Sequence, residues 1–145
     1  MATTMQMENH FPAFIFNVQA QAGIQSPGPY PTNIIHAGEP VSIDVDWTQT
    51  GLASDVSLFN AGCHYHLNVY LEKFGPGGDP NVPSPPLVLI QQGPGPINYS
   101  QSISLPALTT GVYKVIVTMN FVVPGHVANF IHGYAELGVL QVVPA

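Results

Sequence analysis

The sequence predicts an all-β fold, an antiparallel β-sandwich in a single domain that spans residues 1–145. Fifteen prolines and fourteen glycines punctuate the chain, a density that excludes long helices and marks turns. Between these turns lie segments rich in Val, Ile, Tyr and Phe, in which apolar and polar residues alternate as they do in half-buried strands. Six to eight such segments, with no helical pattern between them, indicate a sandwich or a small barrel.

Seven segments carry the strand pattern most clearly. In chain order they are AFIFNVQAQ (13–21), PVSIDVDWT (40–48), CHYHLNVYLEKF (63–74), PLVLIQQ (86–92), NYSQSISLPAL (98–108), GVYKVIVTMNFVV (111–123) and FIHGYAELGVLQVV (130–143). The first belongs to an N-terminal strand or arm, residues 1–35. This arm either forms the first strand of the sandwich or completes a neighbour's sheet by donating residues 13–21.

Three of these segments alternate cleanly enough to assign the face of each residue. The residues predicted to face the core are Val41, Ile43, Val45, Trp47, Cys63, Tyr65, Leu67, Val69, Leu71, Tyr113, Val115, Val117, Met119 and Phe121. Cys63 is the only cysteine, so no internal disulfide forms. At an inward position it is expected to be an inert buried thiol that packs like a small hydrophobe.

The segment LTTGVYKVIV (108–117) carries a more specific motif. It resembles the corner between strands E and F of immunoglobulin-like and fibronectin-type domains, where Leu-x-x-Gly-x-Tyr-x-Val leads into strand F. The resemblance implies an Ig-like sandwich, and it implies that the phenol of Tyr113 bonds back to the backbone upstream. Trp47 lies on the predicted strand B and the inter-sheet cysteine pair is missing, so the likeness is to the broad superfold, which hosts many functions.

Charged residues are sparse along the whole chain. They make up 7% of it, the net charge is −6, and the basic residues are two lysines without any arginine. Proteins that bind nucleic acids neutralise phosphates with Lys and Arg, so nucleic acid is excluded as a partner. A surface of neutral polar residues suits extracellular modules or subunits whose faces are covered in an assembly.

The N-terminus and the hydropathy pattern bear on localisation. No run approaches the eighteen or so apolar residues of a membrane helix, so no transmembrane segment is predicted. The first sixteen residues lack a basic region and contain Glu8 ahead of a short apolar patch, which makes a poor classical signal peptide. The compartment therefore stays open.

The His-Tyr-His triplet at residues 64–66 offers a candidate metal site. Residues i and i+2 of a strand lie on one face about 6.5–7 Å apart, so the imidazoles of His64 and His66 could reach one ion. A zinc or iron site usually needs a third protein ligand. In the Ig-like order, strand C (63–74) pairs with strand F (111–123), and strand F pairs with strand G (130–143). Strand F would therefore separate His132 from this pair by about two strand spacings, roughly 9.5 Å, which leaves the predicted ligand set incomplete.

A second resemblance bears on this site. The segments HYHLNVYLE and PGHVANF are similar to cupin motifs, in which His-x-His, a Glu and a distant His ligate one metal inside a jelly roll. The resemblance implies His64, His66, Glu72 and His126 as ligands of one divalent transition metal. The spacing to Glu72 is longer than in the family, the spacing before His126 is contracted, and the histidine face is predicted to point outward.

The same outward positions also suggest an interaction surface, because Tyr, Asn and His provide contact area and hydrogen bonds at low entropic cost. The residues predicted to line it on one sheet are His64, His66, Asn68, Tyr70, Thr118, Asn120, His132 and Tyr134. An ordinary solvated sheet face explains the same pattern.

The sequence thus favours a non-enzymatic structural or self-assembling subunit that binds copies of itself or another protein, without a cofactor. It contains no G-x-S-x-G, Walker, C-x-x-C or G-x-G-x-x-G motif, and no catalytic residue is predicted. One alternative is a metal-binding protein or enzyme of cupin-like type that uses His64 and His66. Another is a sandwich that binds carbohydrate or a small ligand through loop aromatics, for which Tyr30 and Tyr99 are the candidates.

Overall fold

The structure is a computed structural model that describes residues 2–9, 16–26, 33–51, 62–91, 96–122, 124 and 131–145. Within these ranges there are ten strands and no helix. The strands are β1 (Thr3–Thr4), β2 (Gln6–Asn9), β3 (Asn17–Gln25), β4 (Ile34–His36), β5 (Ser42–Thr50), β6 (His64–Phe74), β7 (Val88–Leu89), β8 (Ile97–Ser104), β9 (Gly111–Val122) and β10 (Ile131–Val143). The part of the chain described contains no helix long and apolar enough to span a membrane.

Two sheets pack face to face, which confirms the predicted all-β sandwich. One sheet has four strands in the order β1-β3-β5-β8, and the other has six, in the order β2-β10-β9-β6-β7 with β4 beside β10. All described strand pairs are antiparallel except β4 with β10. The pairing of β6 with β9 and of β9 with β10 matches the C–F–G order predicted from the sequence.

The core forms where the inward residues of the two sheets meet. All fourteen residues that the alternation assigned to the core are buried, as predicted, and Cys63 is among them at 1% exposure. Burial raises the pKa of the Cys63 thiol, because a low-dielectric environment disfavours the thiolate. These observations match the expected inert thiol.

Proline limits two of the predicted strands. The prediction of a strand over 98–108 was wrong beyond Ser104, since the chain leaves the sheet at Leu105 and Pro106. The prediction over 86–92 was wrong for most of its length, because only Val88–Leu89 pairs with β6. Pro85 and Pro86 precede that pair, and proline has no N–H to donate to a ladder.

Three strands that the sequence did not reveal lie towards the N-terminus, namely β1, β2 and β4. β3 corresponds to the predicted first strand and begins at Asn17. Ahead of it, β1 joins the four-stranded sheet, whereas β2 joins the six-stranded sheet beside β10. Between them Met5 is buried, and its N–H donates to the carbonyl of Ala20 at 2.9 Å. The chain therefore crosses from one sheet to the other at Met5, and the described part of the N-terminal segment pairs within its own chain. Residues 13–15 of the predicted first strand lie outside the described residues.

The tyrosine corner predicted from LTTGVYKVIV is present. The hydroxyl of Tyr113 donates to the carbonyl oxygen of Thr109, four residues upstream, at 2.8 Å. The ring of Tyr113 is 1% exposed, so water cannot replace this bond readily. The corner fixes how the chain enters β9, the central strand of the six-stranded sheet.

Replacing Tyr113 by Phe keeps the buried ring and removes only the hydroxyl. We expect Tyr113→Phe to lower the free energy of unfolding by about 1 kcal/mol, the usual net contribution of one hydrogen bond, in urea-induced unfolding followed by fluorescence. Tyr70→Phe is the matched control, because Tyr70 is 55% exposed, and it should change stability by less than about 0.5 kcal/mol. Equal stability of Tyr113→Phe and wild type would contradict a structural role for the corner.

Candidate functional site

The outer face of the six-stranded sheet carries every residue predicted to line the interaction surface. We call this surface the tyrosine face. The register aligns His66 with Asn120 and Asn120 with His132 in one cross-strand row. The next row aligns Asn68 with Thr118 and Thr118 with Tyr134. His64 and Tyr70 occupy the neighbouring outward positions of β6, so the eight residues form one continuous patch. Whether a partner binds there remains a prediction.

Exposed apolar side chains are concentrated on this same face. The large hydrophobic side chains that are exposed within the described residues are Tyr70 at 55%, Phe74 at 52%, Leu87 at 51%, Leu89 at 64%, Tyr134 at 49% and Val139 at 44%. Five of them occupy outward positions of β6, β7 and β10, and Leu87 directly precedes β7. Half-buried Ile116 lies in the same row as Tyr70, on β9. The tyrosine face is thus considerably more apolar than the sequence pattern alone indicated.

Two contacts on the tyrosine face involve charged side chains. Nε2 of His132 lies 2.7 Å from Oε2 of Glu8, which extends the histidine row onto β2. Nζ of Lys114 lies 3.2 Å from Oε1 of Glu136. Exposed pairs of this kind contribute little to stability, but they leave few isolated charges to oppose a contact with another surface.

Three of the four residues predicted as metal ligands, His64, His66 and Glu72, lie among the described residues. His64 and His66 share a face, but Glu72 lies three positions further along it and is aligned with Lys114. His126 lies outside the described residues. Within the ranges that the structure describes, no three His, Cys, Asp or Glu side chains form a group that could hold an ion. The histidines also point away from the interior, whereas the cupin arrangement requires them to point inward.

The outer face of the four-stranded sheet has the opposite character. Its described outward residues are hydroxyl, amide and carboxylate side chains plus Gly23, with no exposed large apolar residue. It contains a shallow depression of about 530 Å³. The residues whose side chains line it are Thr4, Gln19, Gln21, Asp46, Thr48, Asn98 and Ser100.

Tyr99 does not lie in a loop, so its assignment as a loop aromatic for a ligand was wrong. It belongs to β8 and is 6% exposed, with its ring stacked on Trp47 at 5.3 Å between centroids. Tyr99 therefore offers no exposed aromatic surface to a ligand. Tyr30 lies outside the described residues.

The side chain of Gln49 forms a polar group at the centre of the aromatic core that was not predicted from the sequence. The Gln49 side chain is fully buried, and its Oε1 accepts hydrogen bonds from the hydroxyls of Tyr65 at 2.6 Å and Tyr99 at 2.9 Å. The Tyr99 hydroxyl in turn accepts a bond from the backbone N–H of Gln91 at 2.9 Å. The signal was in the sequence, because Gln49 continues the inward series Val45, Trp47 of β5.

Burial also affects the ionisation of this group. It raises the pKa of the Tyr65 phenol well above its ordinary value, and the neighbouring Tyr99 and Cys63 raise it further. Burial likewise raises the pKa of Tyr99, and the hydrogen bond from the backbone N–H of Gln91 lowers it in part. Both phenols are therefore held neutral, as structural donors and acceptors.

The fold and these surfaces define a two-sheet antiparallel β-sandwich with one apolar and one polar outer face. No protein-family model matches the chain, and no curated protein matches its sequence. Among solved structures it is similar to one described as the C-terminal domain of wzt, with a TM-score of 0.59 and 11% identity. The alignment covers 97% of this chain and 79% of that chain. At this identity the likeness supports the fold alone.

Replacing Gln49 by Leu tests the polar core. We expect Gln49→Leu to lower the free energy of unfolding by about 1–3 kcal/mol, because it leaves the Tyr65 hydroxyl buried without an acceptor. Urea-induced unfolding measures this. In the double variant with Tyr65→Phe, the loss should be smaller than the sum of the two single losses. A Gln49→Leu protein as stable as wild type would show that the bonds contribute nothing net.

The raised pKa values of Tyr65 and Tyr99 predict how stability changes in alkali. Unfolded tyrosines ionise near pH 10, whereas both buried phenols stay protonated in the folded chain. The stabilisation is therefore complete below about pH 10 and falls as the pH rises above it. Unfolding in urea at a series of pH values from about 8 to 11 should show this decline. The decline should be shallower for Tyr65→Phe than for the exposed-ring control Tyr70→Phe, and identical curves would contradict the prediction.

Proposed function

We propose that this chain is a non-enzymatic, Ig-like structural subunit that self-associates, and that copies meet through the tyrosine face. The observation that carries the proposal is the placement of all six large exposed hydrophobic side chains of the described residues on or beside one sheet face. Exposed hydrophobic side chains that are concentrated on one face of a protein commonly mark an interaction site.

The chemical composition of the tyrosine face supports a protein partner. Tyr70 and Tyr134 supply broad, rigid contact area with a polar edge, and interface centres are enriched in such aromatic residues. The amide of Asn120 and the imidazole of His66 can donate hydrogen bonds to a partner and accept them from it, whereas the Oδ1 of Asn68 already accepts a bond from the hydroxyl of Ser84 at 2.7 Å. Neutral polar groups around apolar anchors are typical of an interface that excludes water at its centre.

A second copy of the chain fits this face electrostatically. Two molecules that each carry a net charge of −6 approach most readily through surfaces whose charges are compensated. On the tyrosine face Lys114 is paired with Glu136, and the Glu8 carboxylate lies within hydrogen-bonding distance of the His132 imidazole. A twofold axis through the face would bring the same neutral and apolar groups of both copies together, as isologous dimers require.

The test is the mass of the particle in solution. We expect wild type to self-associate with increasing concentration in sedimentation equilibrium, and Tyr134→Glu to weaken the association constant of the face contact by at least about tenfold, or 1.4 kcal/mol. Gln19→Glu is the matched control, since it adds the same charge to an exposed position on the polar outer face. A wild-type monomer at all concentrations, or an equal loss in both variants, would overturn the proposal.

A further inference from the structure

β8 forms the outer edge of the four-stranded sheet, and it is the longest described strand that has no described neighbour along the whole of its far side. β8 pairs with β5 on one side over a continuous register from Ser42 opposite Ser104 to Gln49 opposite Ile97. No described strand pairs with its other side. An edge of this length presents a row of backbone donors and acceptors ready to pair with another chain.

The residues whose backbone groups face outward follow from one hydrogen bond. The N–H of Leu105 donates to the carbonyl of Val41 at 3.0 Å, so Leu105 points its backbone groups at β5. Successive residues of a strand point these groups to opposite sides. The residues that direct their N–H and C=O to the free edge are therefore Asn98, Ser100, Ser102 and Ser104.

The other outermost strands are shorter than β8. β1, β2, β4 and β7 are two to four residues long, and two prolines precede β7. β1 and β7 each pair with only two residues of the longer strands β3 and β6. The far side of β10 is covered by β2 and β4. β8, with the sequence INYSQSIS, contains no charge, no proline and no bulge over eight residues. Charged residues, prolines and bulges are the features by which natural edge strands avoid pairing with another chain.

We propose that β8 pairs antiparallel with β8 of a second copy, which joins two four-stranded sheets into one continuous sheet of eight. Antiparallel pairing of a strand with itself about a twofold axis is self-complementary, because each outward donor meets an acceptor from the same set of residues. This contact is separate from the tyrosine face and does not require it.

Charge favours a second copy at this edge in spite of the net charge of −6. The nearest carboxylates, Asp44 and Asp46, lie one strand inside the edge, and Asp44 accepts a bond from the hydroxyl of Ser102 at 2.8 Å. Across the joined sheets the carboxylates of the two copies would be three strand spacings apart, about 14 Å. That exceeds the screening length of about 8 Å at physiological ionic strength, so repulsion between them is weak.

The two contacts together would make each copy divalent. The tyrosine face belongs to the six-stranded sheet and the free edge to the four-stranded sheet, so one copy can use both at once. Two different twofold contacts per copy produce either a closed tetramer or an open chain. Loss of either contact alone leaves a dimer.

The experiment compares two substitutions at Ser100, which has an outward N–H. Ser100→Pro removes that donor and places a ring at the edge without breaking a bond to β5, whereas the matched control Ser100→Ala keeps the N–H. In sedimentation equilibrium we expect Ser100→Pro to weaken the edge contact by at least about tenfold and Ser100→Ala to leave it unchanged. Ser100→Pro combined with Tyr134→Glu should be a monomer.

Hydrogen exchange provides a readout specific to the edge. The amides of Asn98, Ser100, Ser102 and Ser104 should be protected at high protein concentration and lose protection on dilution. They should stay protected in Tyr134→Glu, which separates this contact from the tyrosine face. The proposal is overturned if these amides exchange rapidly at every concentration, or if Ser100→Pro assembles as well as wild type. If the edge amides are protected as expected but Tyr134→Glu does not weaken self-association, only the proposal for the tyrosine face is contradicted.

Discussion

The two sheets are held in register by a cluster of aromatic rings around the side chain of Gln49. Trp47 stacks on Tyr99 within the four-stranded sheet, and Tyr65 reaches across from the six-stranded sheet to meet both rings edge-on, at 5.4 and 5.2 Å. The 2.6 Å bond from the Tyr65 hydroxyl to Gln49 fixes this contact in direction as well as distance. Apolar packing is tolerant of small shifts, whereas a buried hydrogen bond is not.

This constraint also decides which residues face solvent. Because side chains alternate along a strand, holding Tyr65 inward turns His64 and His66 outward. The same reasoning through β9 and β10 brings Asn120 and His132 to the outer surface, in the row of His66. The tyrosine face is therefore a consequence of core packing, and a slip of one residue in β6 would bury its histidines and expose Tyr65.

The small number of charged residues in the chain is reflected in the composition of its outer faces and of the β8 edge. The outer face of the four-stranded sheet carries hydroxyl and amide groups with the carboxylates of Asp44 and Asp46. The tyrosine face mixes aromatic and apolar side chains with histidines, asparagines and a few charged residues, and the free edge of β8 consists of serine and asparagine. Proteins that must remain monomeric commonly place lysine or other charges at such edges and faces. At the free edge of β8 those positions are neutral, which agrees with the proposal that this edge pairs with a second copy.

The sequence by itself determined the fold class, the inward residues of β5, β6 and β9 and the tyrosine corner, because each depends on local alternation or on a short motif around Tyr113. It could not determine the crossing at Met5, the short pairing of β7 or the joining of His66, Asn120 and His132 in one row, since register and sheet order depend on contacts between distant segments. The exposed apolar residues and the buried Gln49 were visible as residue types. Only the tertiary structure decided that the former share one face, because that follows from the pairing of β6, β9 and β10. It likewise decided that the latter has two tyrosine partners, because Tyr65 and Tyr99 come from opposite sheets.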